Sequence, residues 1–142
     1  MEKVLLDTSV YVTAPRLGKD AGLALDHLTA GATAWLSSVV LQELYAGAGT
    51  RDRSSVEALE HDFSEGRRIV VPNLEDWVQA GKTLAQLALK YGYEKIGRSR
   101  LTNDALIAMS AARAGISIIT ANQRDFARLA EFRFFRWQLA TF

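Results

Sequence analysis

Val4-Leu5-Leu6-Asp7-Thr8-Ser9 is an unbroken apolar run that ends on a carboxylate. Consecutive aliphatic residues without alternation suit a strand buried on both faces, as in a parallel sheet. The pattern recurs downstream. Ala34–Leu36, Ile69–Val71 and Ile116–Ile119 are equally short and apolar, and stretches with helical spacing separate them. Strands alternating with helices predict an α/β domain in three layers, a central and mostly parallel sheet flanked by helices. Ligands of such sheets bind beyond the C-terminal ends of the strands, where the strand order reverses.

The intervening segments carry their own start and stop signals. Asp20 is placed to cap a helix bearing Leu23, Leu25 and Leu28, with Gly31 as its stop. Ser37 or Ser38 opens a helix with Val40, Leu41 and Leu44 that ends at Gly47-Ala48-Gly49. Arg51–Glu65 has Val56, Leu59 and Phe63 on one face, and Gly66 closes it. Asn73 followed by Asp76 resembles a capping box and starts a long helix to Gly92. A basic loop, Glu94–Arg100, precedes a helix opened by Asp104 and ended by Gly115. Gln123–Leu129 forms a short helix, and Phe132–Trp137 a final strand near an edge.

The 142 residues fit a single domain spanning 1–142. A chain of this length buries roughly 68–70% of its unfolded surface, so it needs neither disulfide nor metal to fold. With no cysteine, thiol catalysis and thiolate metal sites are excluded. The two histidines, His27 and His61, fall within amphipathic helices, which makes a zinc site of the usual kind improbable. Met1 leads directly into the first strand, and no apolar run approaches the ~20 residues that span a bilayer, so a cytoplasmic protein without membrane contact is expected. The net charge of +1 divides into −3 over residues 1–90 and +4 over 91–142. That bias is small, but it would favour a polyanion near the C-terminal third.

Acidic and amide residues follow the strands. Asp7 ends the first, Glu43 lies just after the second, Asp104 opens a later helix, and Asn122 and Asp125 follow the fourth. Two carboxylates ~4 Å apart repel by about 4 kcal/mol at an effective dielectric near 20. Several in one crevice therefore require protons or a cation. Oxygen donors without His or Cys suit Mg²⁺ or Mn²⁺, whose chemistry here is displacement at phosphorus. Each residue also has a plainer reading. Asp7 could end a turn, Asp104 could sit in a first helical turn favoured by the dipole, and Asn122 or Asp125 could cap the last helix. Glu43, beside Val40 and Leu44 in a helix, is a poor place for an idle charge.

Four segments in this order resemble the PIN-domain family, in particular the VapC-type toxins of type II toxin–antitoxin pairs. They are Val4–Ser9 with Leu-Asp-Thr-Ser, Leu41–Gly47 with its Glu, Asn103–Ala108 with its Asp, and Thr120–Phe126 with Thr-x-Asn-x-x-Asp-Phe. The resemblance implies a three-layer PIN-like fold and a Mg²⁺- or Mn²⁺-dependent endoribonuclease. It also implies a homodimer and inhibition by a cognate VapB-type antitoxin. Carried over by motif, Asp7, Glu43, Asp104 and Asp125 become the catalytic acids, with Asp7 and Asp104 as metal ligands. Thr8, Thr120 and Asn122 would then support those ligands. Arg98, Arg100 and Arg124 are candidate contacts to the RNA backbone. Trp77 and Trp137 read as core residues before partner contacts.

An aspartate after a first strand also serves two other functions. Phosphoryl transfer through Asp7 would normally call for a second Asp two residues on, where this chain has Ser9, and a receiver-type phosphoacceptor after the third strand is replaced by Pro72-Asn73. A catalytically weak RNA- or protein-binding module of PIN type stays open because Asn122 stands at the first place of the last motif.

Overall fold

The computed structural model describes residues 1–14, 21–50, 52–92, 94 and 99–142, with backbone only at 21, 99 and 100. Asp20, Lys95 and Arg98 lie outside the described residues, as does the Arg100 side chain. The elements run β1 (Lys3–Leu6), α1 (Thr8–Thr13), α2 (Ala21–Leu28), β2 (Thr33–Ser37), α3 (Ser38–Gly47) and α4 (Arg53–Glu65). They continue with β3 (Ile69–Val70), α5 (Leu74–Tyr91), α6 (Ser99–Ala114), β4 (Ile116–Thr120), α7 (Gln123–Ala130) and β5 (Trp137–Leu139).

The five strands form one sheet in the order β3-β2-β1-β4-β5, and every pair is parallel. The chain builds outward from β1 to β3, then returns to the other side of β1 with β4. The order therefore reverses between β1 and β4, the position at which parallel α/β sheets open a crevice. Leu6 pairs with Ile119 in register, so Asp7 and Thr120 emerge together at the C-terminal rim.

Alternation within the central strands supplies both cores. Leu5, Ile116 and Ile118 join Leu36, Val40, Leu87, Ile107 and Phe126 in the larger cluster. Val4, Leu6 and Ile119 turn the other way and pack with Val10, Leu25 and Leu28. A sheet with both faces covered has no polar side, which explains why its central strands read as continuous apolar runs. Gly115, at φ +70°, makes the left-handed turn from α6 into β4 that a side chain would strain. Among the described residues, no helix is long and apolar enough to cross a membrane.

Several boundaries differ from the sequence reading, each for a local reason. The residues after Asp7 form the helical turn α1, rather than a plain strand-end turn. The Asp104 helix begins at Ser99, so Asp104 lies in its second turn, beyond the first-turn dipole. The last strand starts at Trp137 instead of Phe132, because Phe132 and Arg133 donate their N–H groups back to Leu129 and close α7. Phe135 then turns inward, 5% exposed, before pairing begins. The third strand stops at Val70. The capping box is present as read, with Asp76 N–H donating to Asn73 Oδ1 and Asn73 N–H to Asp76 Oδ2. Trp77 is 56% exposed, against its reading as a core residue, whereas Trp137 packs on the core.

Candidate functional site

Asp7 follows β1 directly and is 2% exposed. It occupies the N-cap position of α1 without closing a side-chain capping hydrogen bond of the usual geometry there. The carboxylate faces β4 instead. Thr120 Oγ1 donates to Asp7 Oδ2 at 2.9 Å, and Ser9 Oγ donates to Oδ1. Each hydroxyl is held in turn by the β4–α7 corner, since Asn122 N–H donates to Thr120 Oγ1 and Ala121 N–H to Ser9 Oγ, both at 2.9 Å. Both carboxylate oxygens are thus held in a bracket of hydroxyls that are themselves anchored.

Burial pushes the Asp7 carboxyl above its ordinary value, and the nearby Glu43 charge adds to the rise. The Ser9 and Thr120 hydroxyls and the Val10 amide oppose it by favouring the anion. Desolvation dominates, so the ionised form is held at a cost that a counter-charge would relieve.

Glu43 sits on α3, which Ser37 caps by accepting from Val39 N–H. Thr8 Oγ1 donates to Glu43 Oε1 at 2.6 Å, which fixes the second carboxylate beside the residue that follows Asp7. The predicted supporting roles therefore divide, with Thr8 serving Glu43 and Thr120 serving Asp7. Asp104 is 4% exposed within α6, which packs against α3. A cleft lined by both Gln42 and Asn103, the immediate neighbours of Glu43 and Asp104, lies between these two helices.

Asn122 and Asp125 are engaged with each other. Asn122 Oδ1 accepts from Asp125 N–H at 3.4 Å, and its Nδ2 donates to Asp125 Oδ2 at 3.0 Å. Asp125 Oδ1 lies 3.5 Å from Arg124 Nε, with the arginine side chain 67% exposed. This pair caps α7, and Asn122 reaches the centre through its backbone N–H on Thr120. Arg128 stacks over Tyr91 at 4.4 Å and so contributes to packing rather than to the rim. Ser9 is the residue that sequence reasoning passed over. Its signal was the Asp-x-Ser spacing, which on a first helical turn brings the hydroxyl back to the preceding carboxylate.

Among the described residues, no three His, Cys, Asp or Glu side chains close into a metal-holding group. The structure brings Asp7 and Glu43 together, with Asp104 on the helix packed against Glu43's helix and Asp125 on the adjoining corner. Such a donor set suits a hard cation that takes one or two carboxylates and keeps its waters. A thiolate- or imidazole-seeking ion would find no ligand among these residues.

Comparison with known proteins places this architecture. Among solved structures, a chain of the DNA-bound VapBC complex from Salmonella typhimurium is 23% identical, with a TM-score of 0.68 and coverage of 99% of this chain and 100% of that one. VapBC2 from Rickettsia felis, bound to a DNA fragment from its promoter, gives 20% identity, TM-score 0.66 and coverages of 96% and 98%. VapBC-1 from nontypeable Haemophilus influenzae gives 23%, 0.63, and 96% of each chain. At these identities the likeness is one of fold. None of the curated proteins compared matches the chain. The family described as PIN domain matches residues 4–132, from the first strand through the last helix. With that match over nearly its whole length, and with its buried Asp7 at the reversal of a parallel sheet, the chain belongs to the PIN-domain family.

Proposed function

We propose that this protein is a Mg²⁺- or Mn²⁺-dependent endoribonuclease of VapC type, the toxin of a toxin–antitoxin pair. The observation that carries the reading is the bracketed Asp7 carboxylate, buried at the sheet's reversal point with the Glu43 charge beside it. The three solved complexes described above share this fold and are VapBC assemblies, which supports a VapB-type antitoxin as partner and a VapC-like role. A homodimer belongs to the same reading.

Asp7 and Asp104 would hold the ion. When bound, it supplies Lewis-acid activation of water and neutralises charge at the scissile phosphate. Ser9 and Thr120 keep the Asp7 oxygens aimed without rotation, so no reorganisation is needed as the reaction proceeds. Glu43, steadied by Thr8, is placed to accept a proton from an entering water. Asp125 supports the corner that presents Asn122 and Ala121 to the bracket. Arg124, open to solvent beside that corner, is placed to hold the RNA backbone, a role proposed also for Arg98 and Arg100.

The test is RNA cleavage with Mn²⁺ or Mg²⁺, repeated in EDTA. Cleavage is expected with either ion and none with the chelator. RNA binding without cleavage under every metal condition would replace this reading with that of a binding module. Removing the bracket one hydroxyl at a time probes the same site. Ser9→Ala and Thr120→Val are each expected to weaken the metal dependence of cleavage by about 10–100-fold, read from rate against Mn²⁺ concentration. Unchanged curves for both would show that the hydroxyls do not orient a ligand.

A further inference from the structure

Beside the acidic centre, a cleft of about 290 Å³ opens between the N-terminal half of α3, the start of α5 and the second turn of α6. Its volume is at the small end of ligand pockets, roughly 300–1,000 Å³, the scale of one flat group rather than a run of chain. Val39 and Leu106, 6% and 3% exposed, contribute apolar lining. Val71, Pro72 and Trp77 line it on the α5 side, and Ser38, Gln42 and Asn103 are the residues with polar side chains among its walls. Among the described residues, neither amide side chain is engaged in a hydrogen bond. Ser38 and Gln42 are one helical turn apart on α3, and Val39 shares the face of Glu43 by the same spacing.

We propose that this cleft is a nucleobase subsite, in which Trp77 stacks one unpaired base of an RNA strand and the Gln42 and Asn103 amides read its edge. The proposal rests on the nuclease reading and adds to it how the substrate is chosen. Single-stranded RNA is recognised by splayed bases stacked on aromatic rings and hydrogen-bonded at their edges, and this lining has both parts. Its position follows from the chain. Gln42 and Asn103 directly precede Glu43 and Asp104, so a base seated here sets the adjoining phosphate beside the carboxylates. Leu74 and Val78, 79% and 39% exposed, continue the Trp77 side of α5 and make a protein segment the rival occupant. The two amides and the hydroxyl favour the base.

The experiment titrates the full chain into fluorescein-labelled RNA tetranucleotides in EDTA, following the anisotropy of the label, and measures steady-state cleavage with Mn²⁺ in parallel. Trp77→Ala is expected to raise Kd about tenfold and KM by the same factor, with kcat little changed. Trp77→Phe should retain most of the affinity, and Asn103→Ala should flatten the preference among the four homotetramers. Wild-type cleavage with Kd and KM unmoved by Trp77→Ala overturns the subsite and leaves the nuclease reading standing. Trp77-dependent binding without cleavage in any metal supports the subsite and removes the nuclease reading. A Trp77→Ala protein that changes only in oligomeric mass, with RNA binding intact, overturns the proposal in favour of protein docking.

Discussion

Asp7→Asn is expected to lower metal-dependent RNA cleavage by at least about 10³-fold while raising the melting temperature of the metal-free protein by a few degrees. The activity loss follows from removing an anionic ligand whose ion contributes several kcal/mol of transition-state stabilisation, each ~1.36 kcal/mol being a factor of ten. The stability gain has a separate origin. Burial and the Glu43 charge raise the Asp7 pKa above its unfolded value, so the folded state favours the protonated form. Stability from this group is present at low pH and is lost as pH rises through the folded value. An amide carries no charge to desolvate and escapes that loss. Melting curves in EDTA from pH 4 to 8 should therefore converge at the acid end and separate above it. A variant that melts below wild type at neutral pH would mean that the bracket's hydrogen bonds outweigh the burial of charge.

Phe126→Ala is expected to destabilise the domain by about 3–5 kcal/mol, a large share of the ~5–15 kcal/mol typical of a whole domain. Phe126 is fully buried, and its ring meets Phe135 edge-on with centroids 6.2 Å apart. Together with Leu129, also fully buried, it fixes α7 to the larger core. That anchor also has a functional consequence. The N-terminal corner of α7 carries the Ala121 and Asn122 amides that hold Ser9 and Thr120. Loosening α7 should therefore impair cleavage under conditions where the protein is still folded. Urea unfolding gives the stability change, and cleavage at low temperature gives the second effect. Phe126→Leu, which keeps most of the volume, should cost less than about 1.5 kcal/mol. A loss for Phe126→Ala as small as that expected for Phe126→Leu would show that the site tolerates a cavity better than its packing suggests.

The extent to which the sequence disclosed this protein follows from which interactions are local. Strands β1, β2 and β4 were legible because burial of the sheet's centre selects runs dominated by apolar residues, a signal independent of partners. The Asn73–Asp76 capping box was legible because both of its hydrogen bonds close within four residues. Helix α1 was not, since six residues of mixed character carry no periodicity that separates them from a turn. Strand β5 was misplaced because Phe132 and Phe135 look like strand residues, although they serve to fasten α7 and the core. Trp77 was assigned to the core from its type alone, and its exposure depends on how α5 is rotated against α6.

For the site, sequence alone determined the chemistry on offer: hard oxygen donors at the ends of apolar strands, with no thiol and no histidine in the motifs that carry them. Residue type and position relative to the strands suffice for that, because donor hardness is a property of the side chain itself. Tertiary structure decided which donors act on which. It joined Asp7 to Thr120, 113 residues away, and Glu43 to Thr8, 35 residues away. It also turned Asn122 and Asp125 toward each other. These pairings depend on β1 and β4 lying side by side in register, a long-range choice made by the packing of both sheet faces, which no local stretch of the chain encodes.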